Sequence, residues 1–309
     1  MELGVRMQAK INQLKQNLSG GVTPAMATPL HESSFTVNTA VIPQLVDFLI
    51  EKGVRGLFAG GSTGEGIALP LVERKKLHEA TVTAVSGRVP VIVHVGSIRT
   101  DWAVELARHA RTIHADAIAA VTPTFYALDD ESIARYYEAI AEAAPDIPLI
   151  LYDIPQLATN GISPDLLRTL SSRLPSVAGL KTSRPDASKV RQLLDKAPET
   201  IVTLAGNEAI ALGLLALGTN GLLSGLATAV PEPLVALTHA VAHHDLAEAQ
   251  RQQHIIRQIL ALAPDGKRIG WIKKILIERG IPVGPAIPPH IMPPTEVWPA
   301  VHAILAQSK

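Results

Sequence analysis

Lys181 closes the short apolar, strand-like run Ser176-Val-Ala-Gly-Leu-Lys181, and no other lysine of the chain ends a predicted strand. An amine placed there sits half in a core and half in a pocket, where it can shed its proton and attack a carbonyl. Tyr152 closes a second apolar run, Pro148–Tyr152, and is followed by Asp153-Ile154-Pro155. Its phenol either relays a proton or hydrogen-bonds a carbonyl oxygen in a pocket, or it packs a core. The loop Gly60-Gly61-Ser62-Thr63-Gly64-Glu65 sets glycines around two hydroxyls. That composition suits a tight turn whose backbone N–H groups receive a carboxylate or phosphate. The plainer reading is a strand-to-helix turn with a hydroxyl cap. It is not a P-loop, because the lysine that should follow the second glycine is missing.

Other strand-end residues are more ambiguous. Gly206-Asn207-Glu208 and Ser224-Gly225 line a pocket or form ordinary turns. His94, close before Gly96, reads as a structural hydrogen-bonding residue. His243-His244 has no carboxylate or histidine at metal-ligand spacing and reads as a solvated face.

These residues need elements to hold them, and the chain supplies an alternation. Short β-rich apolar runs recur at Val22–Thr28, Gly56–Ala59, Val89–Val95, Ala117–Thr122, Pro148–Tyr152, Val177–Lys181, Ile201–Ala205 and Gly221–Ser224. Helical periodicity fills the gaps. It is clearest in Ile133, Tyr136, Tyr137, Ile140 and Ala141, which mark one buried stripe capped by Asp129 or Asp130. Ser163-Pro164 reads as a cap followed by proline in the first turn. Eight strand-then-helix units call for a parallel sheet, and their number favours a closed (β/α)₈ TIM barrel over an open sheet. Beyond it, further helices are expected at Pro233–His243, Leu246–Leu262, Lys267–Arg279 and Pro294–Gln307, with Gly280–Pro294 as an extended loop. The expected organisation is an N-terminal extension over residues 1–20, a barrel over 21–230 and a C-terminal helical region over 231–309 packed on the barrel. In such barrels the C-terminal strand ends carry the active site, and that is where Lys181 and Tyr152 fall.

Bulk composition narrows the function. With 47% hydrophobic and 18% charged residues, the chain builds a large core rather than a disordered polymer. Lys+Arg and Asp+Glu both number 28, so the basic footprint of a nucleic-acid binder is missing. The absence of cysteine removes disulfides, thiolate metal sites and cysteine nucleophiles. No run of about 18 apolar residues is present to span a membrane. Residues 1–20 lack the apolar core of a secretory signal and suit a short amphipathic helix. A soluble cytoplasmic protein is expected.

Taken together, Ala27-Thr28-Pro29-Leu30, Gly60–Glu65, Val121-Thr122-Pro123, Tyr152-Asp-Ile-Pro155, Gly179-Leu-Lys181, Gly206, Gly221–Ser224 and Gly280-Ile-Pro-Val-Gly-Pro285 form an ordered set. The set resembles the dihydrodipicolinate synthase / N-acetylneuraminate lyase family of pyruvate-dependent class I aldolases, from about Gly21 to Leu305. The resemblance implies that Lys181 forms a Schiff base with pyruvate or another 2-oxo acid, without metal or organic cofactor. It implies that Tyr152 shuttles a proton, with Thr63 in the relay, and that Ser62, Thr63 and Gly61 hold the pyruvate carboxylate. Ser183, Gly206, Glu208, Ser224 and Leu157 are the implied substrate-binding positions. It also implies a homotetramer or homodimer, in which a family tyrosine crosses to the neighbour's relay. Here that position is Phe125, so either the adjacent Tyr126 supplies the hydroxyl after a one-residue shift, or the relay is incomplete and activity is weak or altered, or the pair is only interface packing.

Two departures bear on specificity. The arginine that grips the aldehyde's carboxylate in the synthases is replaced by Leu157, which offers no bidentate donor. The lyase's Asp-Glu pair after the strand-seven glycine becomes Glu208-Ala209. The expected activity is therefore reversible aldol cleavage of a 2-keto-3-deoxy sugar acid or related compound, giving pyruvate and an aldehyde. A 4-hydroxy-tetrahydrodipicolinate synthase is the alternative within the family. A non-catalytic barrel that binds a 2-oxo acid is the alternative of another class.

Overall fold

The computed structural model describes residues 2–307; residue 1 of the expected N-terminal extension and residues 308–309 of the C-terminal region lie outside them. Eight strands are present: β1 (Val22–Pro24), β2 (Leu57–Ala59), β3 (Val91–His94), β4 (Ala117–Val121), β5 (Leu149–Asp153), β6 (Val177–Thr182), β7 (Val202–Ala205) and β8 (Gly221–Ser224). They form one parallel sheet in the order β1-β8-β7-β6-β5-β4-β3-β2. The sheet curls back on itself where Arg55 N–H donates to Val22 O and Met26 N–H donates to Phe58 O. The fold is a (β/α)₈ barrel with additional C-terminal helices.

All eight strands fall on the expected segments, with β5 and β6 running one residue further, to Asp153 and Thr182, but β1 is shorter than Val22–Thr28. Pro24 has no N–H for the ladder, and the following residues bond to several different partners. Ala25 N–H donates to Ser224 O, Ala27 N–H to the Thr228 hydroxyl and Leu30 N–H to Val283 O. The stripe Ile133, Tyr136, Tyr137, Ile140, Ala141 is the buried face of helix Asp130–Ala143, and the Asp129 carboxylate caps it at Ser132 N–H. Ser163 caps helix Pro164–Arg173 in the same manner. The C-terminal helices are Glu232–Ala242, Leu246–Ala261, Arg268–Glu278 and Trp298–Ala306. The last begins four residues later than the predicted Pro294, because Glu278 Oε2 accepts the Val297 and Trp298 N–H groups and so fixes the start there. No helix among the described residues is long and apolar enough to cross a membrane.

Strand alternation divides the apolar residues into two layers. Leu57, Val93, Ile118, Ala120, Leu151 and Leu180 face the surrounding helices. Phe58, Ile92, Ala119, Ile150, Val202 and Leu204 fill the barrel interior. The N-terminal helix Glu2–Leu18 joins this inner layer through Met7, Ile11, Leu14 and Leu18. The helix packs against β6 and β7 and covers the opening opposite the strand C-termini.

Behind β3 lies a buried basic cluster. Arg74, on helix Leu71–Val85, donates to Gly96 O and His94 O at 3.0 and 2.6 Å. Burial pushes its pKa down to about 10. Burial, and then the Arg74 charge, hold His78 and His94 well below the ordinary histidine range. Both histidines therefore stay neutral in the folded chain while their unfolded counterparts protonate below about pH 6.5. The unfolded state then binds more protons, so stability falls as pH drops below that point, by up to about 1.4 kcal/mol per pH unit for each histidine. Urea midpoints at pH 7.5, 6.5 and 5.5 should show this decline well above the carboxylate range. Constant midpoints would contradict it.

Candidate active site

Lys181 and Tyr152 are register partners on neighbouring strands, and an irregularity makes them so. Leu149 pairs with Val177, but Ile150 pairs with Gly179, so β6 carries one extra residue at Ala178. Without that bulge Tyr152 would face Leu180, which points to the outer layer. Bulges beside reacting groups re-aim a side chain in this way.

The result is a buried amine on an aromatic face. Lys181 Nζ lies 3.7 Å from the Tyr152 ring centroid and donates to Ser183 Oγ at 2.5 Å. Among the described residues no carboxylate pairs with it. The phenol oxygen of Tyr152 is offset from the amine and lies 3.1 Å from Ser62 Oγ. The hydroxyl beside Tyr152 is thus Ser62, where the sequence expectation placed Thr63. Thr63 turns away because the loop aims it at Gly225, where an added Cβ would stand 2.5 Å from its Oγ1. Phe58, His94 and Tyr152 pack edge to face at 5.9–6.0 Å and form the floor. His94 accepts Val121 N–H at 3.2 Å, the structural role expected of it.

Three ion pairs hold this arrangement. Asp153, fully buried next to Tyr152, receives Arg184 through two nitrogens at 2.7 and 3.0 Å and the Thr182 hydroxyl at 2.8 Å. It thereby fastens the ends of β5 and β6 on either side of the Tyr152–Lys181 pair. Glu65, at the end of the glycine loop, meets Lys273 of helix Arg268–Glu278 at 2.7 Å, both side chains fully buried. Burial lowers the Lys273 pKa, and Glu65 opposes that shift. Glu208 accepts from Ser224 Oγ, Leu226 N–H and Arg268 through one oxygen. Burial would raise its pKa, but Arg268 and the backbone donors carry it below the usual carboxylate range.

A cavity of about 500 Å³ opens over these groups, and Ser62, Thr63, Tyr152, Leu157, Lys181, Ser183, Gly206 and Glu208 all line it. Gly61 and Ser224 do not reach it. Gly61 packs on Phe58, and Ser224 is buried beneath Glu208. Phe125 and Tyr126 are outside this cavity, exposed and stacked edge to face on each other at 5.0 Å. Sequence reading missed Arg268, Ile269, Ile272 and His290, which form the wall contributed by the C-terminal region. Ile269 and Ile272, one turn apart beside a charged residue in a predicted helix, were the available signal.

Gly206 supplies the space for the amine. A methyl at this position would lie 2.3 Å from Ser183 Oγ, 2.6 Å from Lys181 Cε and 3.0 Å from Nζ. All three atoms can yield, so Gly206→Ala is expected to fold but to displace the lysine. Misplacing a reacting group by about 1 Å costs ~10²-fold in rate. Turnover should therefore fall by about that factor while the thermal midpoint moves little; the reverse pattern would contradict this.

Comparison with known proteins agrees with this fold. The model of the dihydrodipicolinate synthetase family matches residues 18–308. The 4-hydroxy-tetrahydrodipicolinate synthase of Methanosphaerula palustris is 32% identical over 268 residues, covering 86% of this chain and 91% of that protein. A probable 2-dehydro-3-deoxy-D-pentonate aldolase of Escherichia coli is 30% identical over 290 residues, covering 92% and 96%. The structure of a catalytic lysine mutant of the sialic acid aldolase of Ruminococcus gnavus superposes with a TM-score of 0.88 at 27% identity, covering 95% and 96%.

Proposed function

The chain belongs to the dihydrodipicolinate synthetase family, and from that premise we propose that Lys181 is its Schiff-base nucleophile in the reversible cleavage of a 2-keto-3-deoxy sugar acid or a related 2-oxo acid. The chain is a lyase of the aldolase type. The observation that carries the assignment is the buried, carboxylate-free amine of Lys181 lying on the Tyr152 ring in a cavity floor.

The chemistry follows from that placement. Lys181 Nζ adds to the ketone carbon, and loss of water leaves an iminium. The bond between the third and fourth substrate carbons then breaks, its electron pair entering the iminium to give an enamine. The hydroxyl on the fourth carbon gives up its proton to Tyr152 and leaves as an aldehyde. Protonation of the enamine and addition of water release pyruvate and restore the amine. The carboxylate of the 2-oxo acid is assigned to the Ser62-Thr63 turn, which offers hydroxyl and backbone donors. The scheme needs neither metal nor organic cofactor. Leu157 lines the rim as an exposed apolar side chain, which favours the sugar-acid reading over the synthase. The exposed Phe125–Tyr126 pair supports a subunit contact in a homodimer or homotetramer.

The test is to incubate the protein with pyruvate, reduce with borohydride and map the adduct. An adduct at Lys181 is expected; none at that residue would sink the assignment. Condensation of pyruvate with a panel of aldehydes then separates the branches, and rapid turnover of aspartate semialdehyde would favour the synthase.

A further inference from the structure

Glu65 ends the glycine loop in a backbone conformation that does not suit its type. Its φ of 55° lies in the left-handed region that glycine enters most easily. The same residue shuts the turn bearing Ser62 and Thr63, donating its N–H to Ser62 O at 3.1 Å. Its buried side chain uses both oxygens. Oε2 meets Lys273 Nζ at 2.7 Å, and Oε1 accepts Ile287 N–H at 2.5 Å. Lys273 also donates to Pro285 O at 2.6 Å. Stability alone would select neither feature. Glycine fits that backbone better, and apolar groups of similar volume often replace a buried ion pair with no loss of stability. Strained residues persist where surrounding contacts over-determine them, and they cluster at ligand clamps.

We propose that Glu65 is a positioning residue, which through Lys273 sets the Ser62-Thr63 turn where it receives the carboxylate of a 2-oxo acid held on Lys181. The inference rests on the Schiff-base reading of Lys181. Lys273 follows Ile272, a wall residue of the cavity on helix Arg268–Glu278. The ion pair therefore ties the turn to that wall, and the Ile287 N–H ties it to the segment beyond the helix. The turn cannot move toward or away from the amine without breaking a buried charge pair. Ser62 Oγ, 3.1 Å from the Tyr152 phenol oxygen, is kept in place by the same tie. Neither Glu65 nor Lys273 lines the cavity, so the pair acts on where the carboxylate is held and touches no substrate itself.

The test compares the wild-type chain with Lys273→Met and with the double variant Glu65→Gln/Lys273→Met, which keeps an acceptor for the Ile287 N–H but carries no charge. Two quantities are read in each: the thermal midpoint, and the pyruvate concentration that gives half-maximal borohydride trapping at Lys181. Acetone, a ketone without the carboxylate, is the control probe. Lys273→Met should melt well below the wild type, because a carboxylate is left buried without its partner. The double variant should regain the wild-type midpoint and yet need roughly tenfold more pyruvate, the lower end of what losing a charged hydrogen bond costs. Its labelling by a fixed high concentration of acetone should match the wild type. Recovery of pyruvate trapping together with the midpoint would show that the pair serves the fold alone, and would overturn the inference. A double variant as unstable as Lys273→Met would overturn it too, as would equal losses with pyruvate and acetone. Failure of the wild type to trap pyruvate at Lys181 would overturn the underlying reading, a result distinct from these.

Discussion

Lys181→Met is expected to yield a folded barrel with no measurable turnover. Methionine nearly matches the lysine stem in length, fills the space beside Gly206 and keeps an apolar group on the Tyr152 ring. The wild-type amine is buried with one hydroxyl partner, so its removal should leave stability unchanged or slightly raised. Catalysis is another matter, because the covalent route disappears. Deleting a covalent nucleophile lowers kcat by ~10⁶ in well-studied hydrolases, and a loss of that order is expected here. Borohydride with pyruvate should leave the variant unlabelled. A variant that still cleaves substrate at a tenth of the wild-type rate would remove Lys181 from the mechanism.

Tyr152→Phe separates the ring from the hydroxyl. The phenyl face beneath Lys181 Nζ and the edge-to-face contacts with Phe58 and His94 are retained. The oxygen lost is the one 3.1 Å from Ser62 Oγ. If that oxygen moves the substrate proton, kcat should fall by roughly 10²–10⁴, the usual contribution of a positioned acid–base group. Pyruvate should still be trapped on Lys181, since the amine is untouched. Ser62→Ala should give a smaller loss in the same direction. Full activity in Tyr152→Phe would return this residue to a packing role.

How much of this was legible in the sequence depends on the range of each interaction. The strands were readable because alternation and chain-local turn residues encode them, and the strand ends located Lys181 and Tyr152 at one mouth. Their mutual register was not readable. It depends on a one-residue bulge at Ala178, and nothing in Val177-Ala-Gly-Leu-Lys181 distinguishes a bulged strand from a regular one. The pairs Glu65–Lys273 and Glu208–Arg268 were also hidden. Each joins residues far apart in the chain, and a charge in a helical segment reads as solvated until its partner is known. Asp153 stood in view beside Tyr152, yet its role needed Arg184 to be seen just past the end of the neighbouring strand. That Ser62 is the hydroxyl meeting the tyrosine was hidden for a related reason, since adjacent hydroxyls in a tight turn point in different directions.

The N-terminal helix has a consequence for synthesis. Met7, Ile11, Leu14 and Leu18 belong to the barrel-interior layer, and their helix packs against β6 and β7, so the helix is translated roughly two hundred residues before its docking site is complete. At ~5–20 residues per second, that interval is on the order of 10–40 s. Throughout it an apolar stripe waits without its native cover, while β1 likewise waits for β8, its ladder partner. The opening half of the chain is thus committed to being held open, by the ribosome surface or by holdase chaperones, until the seventh and eighth strands emerge. Ribosome-bound chains halted before Val202 should bind such chaperones, and chains halted well past Ser224 should release them.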